Sequence, residues 1–117
     1  MSNQESIKAA VIIPVYNEEK GVRDSFSDLL KVAEEYNIIV VNDGSTDSTS
    51  DVLKEFKGIM VIDHKNNLGY GASLKTGIKY ANNDIICITD ADGTYPNEKI
   101  PYLLNQLIEN DLDKAAW

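Results

Sequence analysis

Two aspartates one residue apart, Asp90 and Asp92, carry the clearest chemistry in this sequence. They follow the segment 84–89, which is apolar at its centre. A carboxylate pair at the end of a strand can share one hard cation, or divide between a cation and a ribose. Mg²⁺ or Mn²⁺ accepts one or two carboxylates and fills the rest of its shell with phosphate oxygens and water. The plainer reading is a solvated acidic turn, because Asp-Gly is a common turn pair. An Asp-x-Asp triplet alone is a weak signal; its place after a buried strand strengthens it.

Three further segments offer polar groups. In Asn42-Asp43-Gly44-Ser45-Thr46-Asp47, Asp43 can accept a hydrogen bond from a base N–H or a ribose hydroxyl, and Gly44 lets the backbone come close to a ligand. Ser45, Thr46 and Asp47 read mainly as turn and capping residues. In Pro14-Val15-Tyr16-Asn17-Glu18-Glu19, the proline ends a strand. Tyr16 can pack against a base and Glu18 can hydrogen-bond a nucleoside. Asn17 reads equally as a helix cap, with Glu18 and Glu19 favouring the helix's positive end.

The stretch Asn66-Asn67-Leu68-Gly69-Tyr70-Gly71-Ala72 precedes a helical pattern, and its glycines permit a tight turn. Leu74 stands where a dinucleotide fingerprint needs its third glycine, so an ordinary NAD site is rejected. His64 has no second His or Cys nearby for a zinc site. Cys87 lies within an apolar run and reads as an inert core residue. Trp117 carries no assignable role.

These segments need elements to bring them together. Apolar runs at 9–15, 38–41, 59–62 and 85–88, rich in Val and Ile, predict strands buried on both faces. Between them, Val22, Phe26, Leu29, Leu30 and Ala33 share one helix face. Val52, Leu53 and Phe56 mark a shorter helix, capped by Ser48 or Asp47. Leu74, Ile78 and Ala81 mark a third. Ile100, Leu103, Leu104, Leu107 and Ile108 mark a fourth, starting near 96–101, where proline is tolerated in a first turn. Successive βα units predict an α/β chain with an open, mostly parallel, Rossmann-like sheet of about four strands and flanking helices. Ligands of such sheets sit beyond the carboxyl ends of the strands. Those ends are 14–19, 42–47, 64–71 and 90–96, which are also the segments richest in polar residues and glycine. The agreement points to a nucleotide-type site.

Composition narrows the partners. The 117 residues suit one domain, and 43% hydrophobic with 26% charged residues is ordinary for a globular chain. A net charge of -8, from 11 basic and 19 acidic residues, argues against nonspecific nucleic-acid binding, which needs a basic footprint. It also argues against an anionic membrane surface as the main partner. A nucleoside diphosphate is repelled by such a chain and needs a cation or backbone N–H groups to bind. The single cysteine cannot form an internal disulfide and fits a reducing compartment. Residues 1–8 lack the apolar stretch of a secretion signal, and no run approaches the length of a membrane span. The expected location is cytoplasmic, or the cytoplasmic face of a membrane.

Taken together, the stretches VIIPVYNEEKGV (11–22), VVNDGSTDST (40–49), NNLGYGASLKTGI (66–78) and DIICITDADGTYP (84–96) resemble the glycosyltransferase family 2 enzymes with the GT-A fold. They occur in the family's order and span nearly the whole chain. The DADGTYP form looks most like the polyprenyl-phosphate sugar transferases, such as the dolichyl-phosphate mannose synthases. The resemblance implies that Pro14, Tyr16 and Glu18 line the nucleoside pocket, that Asp43 contacts the base, and that Asp90 and Asp92 hold Mn²⁺ or Mg²⁺. It also implies that the first and fourth strands lie side by side, with Glu18 and Asp92 flanking the crevice. Thr94 departs from the glutamine often found there. Family members continue past this length into an acceptor half, so residues 1–117 are expected to be the donor part of a transferase domain, ending before that half.

The implied reaction is a single inverting displacement at the anomeric carbon of a UDP- or GDP-sugar. A hydroxyl acceptor needs a general base; a lipid-phosphate acceptor is already ionised. No residue in the chain reads as a convincing base, so donor binding with weak or no transfer is expected. A cut sheet edge would favour self-association into homo-oligomers. The competing reading is a nonenzymatic nucleotide-binding module. A phosphoacceptor receiver domain ranks low because Pro14-Val15-Tyr16 stands where its acidic residues belong. A sugar-nucleotide pyrophosphorylase would need a glycine-rich, basic first loop.

Overall fold

Val and Ile dominate the first apolar run, and β1 (Ala9–Val15) is buried along its length except at Pro14. The computed structural model describes residues 9–32, 36–81 and 85–91 and the short strand at 115–116. α1 (Glu19–Val32), β2 (Asn37–Asp43), α2 (Thr49–Leu53), β3 (Ile59–His64), α3 (Tyr70–Tyr80), β4 (Ile85–Ile88) and β5 (Ala115–Ala116) follow. The sheet order is β3-β2-β1-β4-β5, and every strand pair is parallel. The two-residue β5 adds a fifth strand to the expected four. The fourth predicted helix, Asp92, Thr94 and Trp117 lie outside the described residues.

This order explains where the helices go. β1 to β2 to β3 steps one way across the sheet, and right-handed crossovers place α1 and α2 on one face. β4 then pairs with the other side of β1, so the step reverses and α3 crosses on the opposite face. On the first face, Val22, Phe26 and Leu29 of α1 and Val52 and Leu53 of α2 pack with Val11, Ile13 and Val40. Phe26 meets Phe56 edge-on, with ring centroids 5.4 Å apart. These are the apolar positions that helical periodicity marked.

The opposite face departs from expectation. α3 buries Ser73 and Gly77, whereas Ile78 is 46% exposed and Leu74 only half-buried. Close approach is the physical reason. A Cβ added at Gly77 would stand 2.5 Å from Cγ2 of Ile12, so the helix lies down on β1 at its glycine. β3 is a second correction. It was expected to be buried on both faces, but it is the edge strand, with Met60 49% and Val61 38% exposed. Its β-branched composition encodes pairing with β2, which an edge strand keeps without burial.

Candidate functional site

Strand order reverses at β1, with β2 on one side and β4 on the other, and such a switch point is where ligands of open α/β sheets bind. A cavity of about 390 Å³ lies there. Its lining comes from the ends of three strands and one helix: Pro14 near the end of β1 with Tyr16 and Glu18 after it, Asp43 at the end of β2, Asn67, Gly69, Tyr70 and Ser73 at the start of α3, and Asp90 and Ala91 after β4. Pro14, Tyr16, Glu18, Asp43 and Asp90, the five donor-site residues expected from the sequence, therefore meet at one cavity. Asn67, Tyr70 and Ser73 were missed. Their stretch reads as a tight turn in sequence, and only the crossover of α3 brings its first turn to the crevice.

Hydrogen bonds fasten these loops to each other. Asn17, with φ of 49°, projects its Oδ1 to accept from the backbone amides of Thr46 at 2.8 Å and Asp47 at 3.3 Å. Its own amide donates to Ser45 Oγ at 2.9 Å, and the Glu18 amide donates to Thr49 Oγ1 at 3.0 Å. Asn17 thus ties the loops after β1 and β2 together; these bonds take its side chain away from the helix-capping role expected of it. The capping of α2 falls to Asp47, whose Oδ1 accepts from the Thr49 amide at 2.9 Å and from the Thr49 hydroxyl, while Ser48 makes no side-chain cap bond. Burial would raise the Asp47 carboxyl, but the Thr49 bonds outweigh it and hold the group below the usual carboxylate range. Asn42, buried, donates from Nδ2 to Ser50 Oγ and Asp63 Oδ1 and accepts from Ser45 Oγ.

Both carboxylate oxygens of Asp43 are engaged. Its Oδ1 accepts from the Leu68 amide at 2.9 Å and pairs with His64 Nδ1 at 2.7 Å. Its Oδ2 accepts from the Gly69 amide and from Asn67 Nδ2, both at 2.9 Å. A carboxylate offers about four lone-pair positions, so a ligand N–H reaching Asp43 would have to displace one of these bonds. Asp43, expected as an acceptor toward a ligand, also clamps the 67–69 turn. Burial would raise its carboxyl, but the hydrogen bonds from His64, Leu68 and Gly69 outweigh it and hold the group below the usual carboxylate range. Gly44 makes the clamp possible. It sits at φ 72°, and a Cβ there would stand 2.4 Å from the Asn66 carbonyl carbon.

After β4, Ala91 is buried in the cluster that holds Ile85 and Cys87, and both Asp90 and Ala91 line the cavity. Burial pushes the Cys87 thiol up to about 11, as befits an unreactive core residue. The cavity's donors are hard oxygens, which suits Mg²⁺ or Mn²⁺ rather than a soft metal. Among the described residues, no group of three or more metal-ligating side chains is present. A cation that takes one or two protein carboxylates fits the Asp90 end of the cavity.

A family model described as Glycosyl transferase family 2 matches residues 10–116. The chain belongs to this family. As a family 2 chain it is 35% identical over 114 residues to the probable glycosyltransferase YdaM of Bacillus subtilis, covering 89% of this chain and 27% of that protein. It is 33% identical over 114 residues to the dolichol-phosphate mannosyltransferase of Pyrococcus furiosus, covering 93% of this chain and 32% of that protein. Among solved structures, it shares its fold with the mannosyltransferase PcManGT from Pyrobaculum calidifontis in complex with GDP-Man and Mn²⁺, with a TM-score of 0.69, 24% identity, and coverage of 79% of this chain and 29% of that one. The family 2 chain thus spans a third or less of the length of these relatives. No helix among its described residues is long and apolar enough to cross a membrane.

Proposed function

We propose that this chain is the donor half of an inverting glycosyl transferase and binds the nucleoside diphosphate of a UDP- or GDP-sugar through a divalent cation held by Asp90 and Asp92. The observation that carries the reading is the convergence of Pro14, Tyr16, Glu18, Asp43 and Asp90 on one cavity at the reversal of strand order. The solved neighbour with GDP-Man and Mn²⁺ supports the same ligand chemistry.

In this reading each wall has a task. Tyr16 and Pro14 offer an apolar surface to the nucleobase, and Glu18 accepts from the nucleoside. Asp43 keeps the 67–69 turn against the ligand. The first turn of α3, which has no side-chain cap bond, turns its amides toward anionic oxygens. Asp90 and Asp92 hold the cation, Asp92 as the more direct ligand. When bound, that cation stabilises the negative charge developing on the leaving diphosphate. The acceptor half lies elsewhere in the full enzyme. Relatives named for dolichol-phosphate and undecaprenyl-phosphate transfer favour a polyprenyl phosphate as acceptor, already ionised and in need of no strong base. Such an acceptor would place the enzyme at the cytoplasmic face of a membrane.

Calorimetric titration with UDP, GDP and their sugars, with and without Mn²⁺, tests the proposal. Binding should require the cation and weaken about tenfold or more in Asp92→Asn and Asp90→Asn, the loss expected when a charge-assisted ligand bond is removed. Cation-independent binding, or native affinity in both variants, would count against it.

A further inference from the structure

His64 lies outside the cavity lining, yet both of its ring nitrogens are engaged on residues that control that lining. It is the last residue of β3 and the register partner of Asp43 on β2. Nδ1 stands 2.7 Å from Asp43 Oδ1, and Nε2 stands 2.8 Å from Thr76 Oγ1 on α3. The His64 and Asp43 side chains are only 10% and 5% exposed. A carboxylate only accepts, so Nδ1 must carry the hydrogen toward Asp43. The imidazole therefore joins β2, β3 and α3 at one point, and among the described residues it is the single side-chain donor on Asp43 Oδ1.

The consequences run through Asp43. Its other partners are the Leu68 and Gly69 amides and Asn67, and both Asn67 and Gly69 line the cavity. Without His64, Oδ1 keeps one donor in a buried position, and the carboxylate is free to rotate or to draw in water. Either event loosens the 67–69 turn and the start of α3.

We propose that His64 is a positioning residue for the nucleotide cavity: oriented by Thr76, it fixes the Asp43 carboxylate, which holds the 67–69 turn as one wall of the site. The inference rests on the donor-site reading above for its ligand, but the clamp itself can be tested without one.

The test compares His64→Ala, His64→Gln and His64→Asn in the full 117-residue chain. Asparagine places an N–H near the position of Nδ1 and keeps a donor for Asp43. Glutamine reaches toward Thr76 and leaves Asp43 without that donor. UDP and GDP are titrated with Mn²⁺, and amide hydrogen exchange is followed at Leu68 and Gly69, with Ile13 and Val40 as core references. H64A and H64Q should bind nucleotide about tenfold more weakly and H64N within about threefold of native, as expected for loss or retention of one charge-assisted bond. Leu68 and Gly69 should exchange faster in H64A and H64Q while the core amides hold. Native exchange at Leu68 and Gly69 in H64Q would overturn the proposal. So would an H64N as impaired as H64A, because packing rather than the Nδ1 donor would then be responsible. Should H64A fail to fold, H64Q and H64N decide the matter. A native chain that binds neither nucleotide defeats the donor-site reading, and the exchange rates then decide the clamp alone.

Discussion

The two faces of the sheet are built by opposite means. On the α1 and α2 side, large side chains such as Phe26, Leu29, Val52 and Leu53 fill the space between helix and strand. On the α3 side, the helix lies on β1 through Gly77, and a polar clamp of His64, Asp43 and the 67–69 turn sets its first turn. The first arrangement tolerates adjustment, since bulky side chains can repack. The second does not, because the distance from helix to sheet is set by the absence of a side chain. The difference teaches that stability and placement reside on different faces: one face holds the domain together, and the other aims a wall of the cavity.

The largest effect should come from emptying the first face. Phe26→Ala should destabilise by about 3–5 kcal/mol in urea unfolding, the range for truncating a buried aromatic, yet leave the nucleotide affinity of the folded fraction unchanged. A loss of affinity beyond the loss of folded protein would break the comparison. Asp43→Asn removes the clamp's acceptor charge and should cost about 2–4 kcal/mol at neutral pH. Because the Asp43 carboxyl is held below its ordinary value of 3.8, its contribution is present in full above that value and is lost as the pH falls through the lowered one. The stability gap between native chain and D43N should therefore be wide near neutrality and close in acid, and unfolding midpoints across that range would show it. A constant gap would contradict the clamp.

Gly77→Ala should cost about 1–3 kcal/mol through overpacking against Ile12, although alanine is the better helix former. It should also weaken nucleotide binding by shifting α3. Gly71→Ala sharpens the contrast. Nothing lies near a Cβ built there, so helix propensity alone should apply, and thermal unfolding should show a gain of about 0–1 kcal/mol.

The same difference explains what the sequence revealed. The strands at 9–15, 38–41, 59–62 and 85–88 and the buried stripe of α1 were legible, because hydrophobic periodicity encodes what large side chains do. The α3 interface was legible only in part: Ala81 packs on the cluster of Ala10, Ile39 and Val41, but Ile78 is exposed and the close approach to β1 is made by Gly77, which carries no apolar signal. Pro14, Tyr16, Glu18 and Asp90 could be grouped from the sequence because strand ends are where α/β ligands sit, and they line one cavity. Asp43 reads in sequence as an acceptor toward a ligand, but its clamp on the 67–69 turn was not legible, because hydrogen-bond partners more than twenty residues away leave no local pattern. His64 was dismissed for lacking a second metal ligand; its partner was a carboxylate one strand over. Asn17, reading as a cap, turned out to be a cross-tie between two loops.

The central claim is that the carboxyl ends of these parallel strands hold one cation-bridged ligand. Mn²⁺ is paramagnetic and broadens nearby nuclei, so an NMR titration with Mn²⁺ in the presence of UDP or GDP locates the ion. The amides of Tyr16, Glu18, Gly69, Tyr70, Asp90 and Ala91 should broaden first, and those of Ile38, Ile59 and Met60, at the opposite ends of the strands, should stay sharp. Broadening centred on the opposite ends, or spread evenly over the surface, would contradict the account.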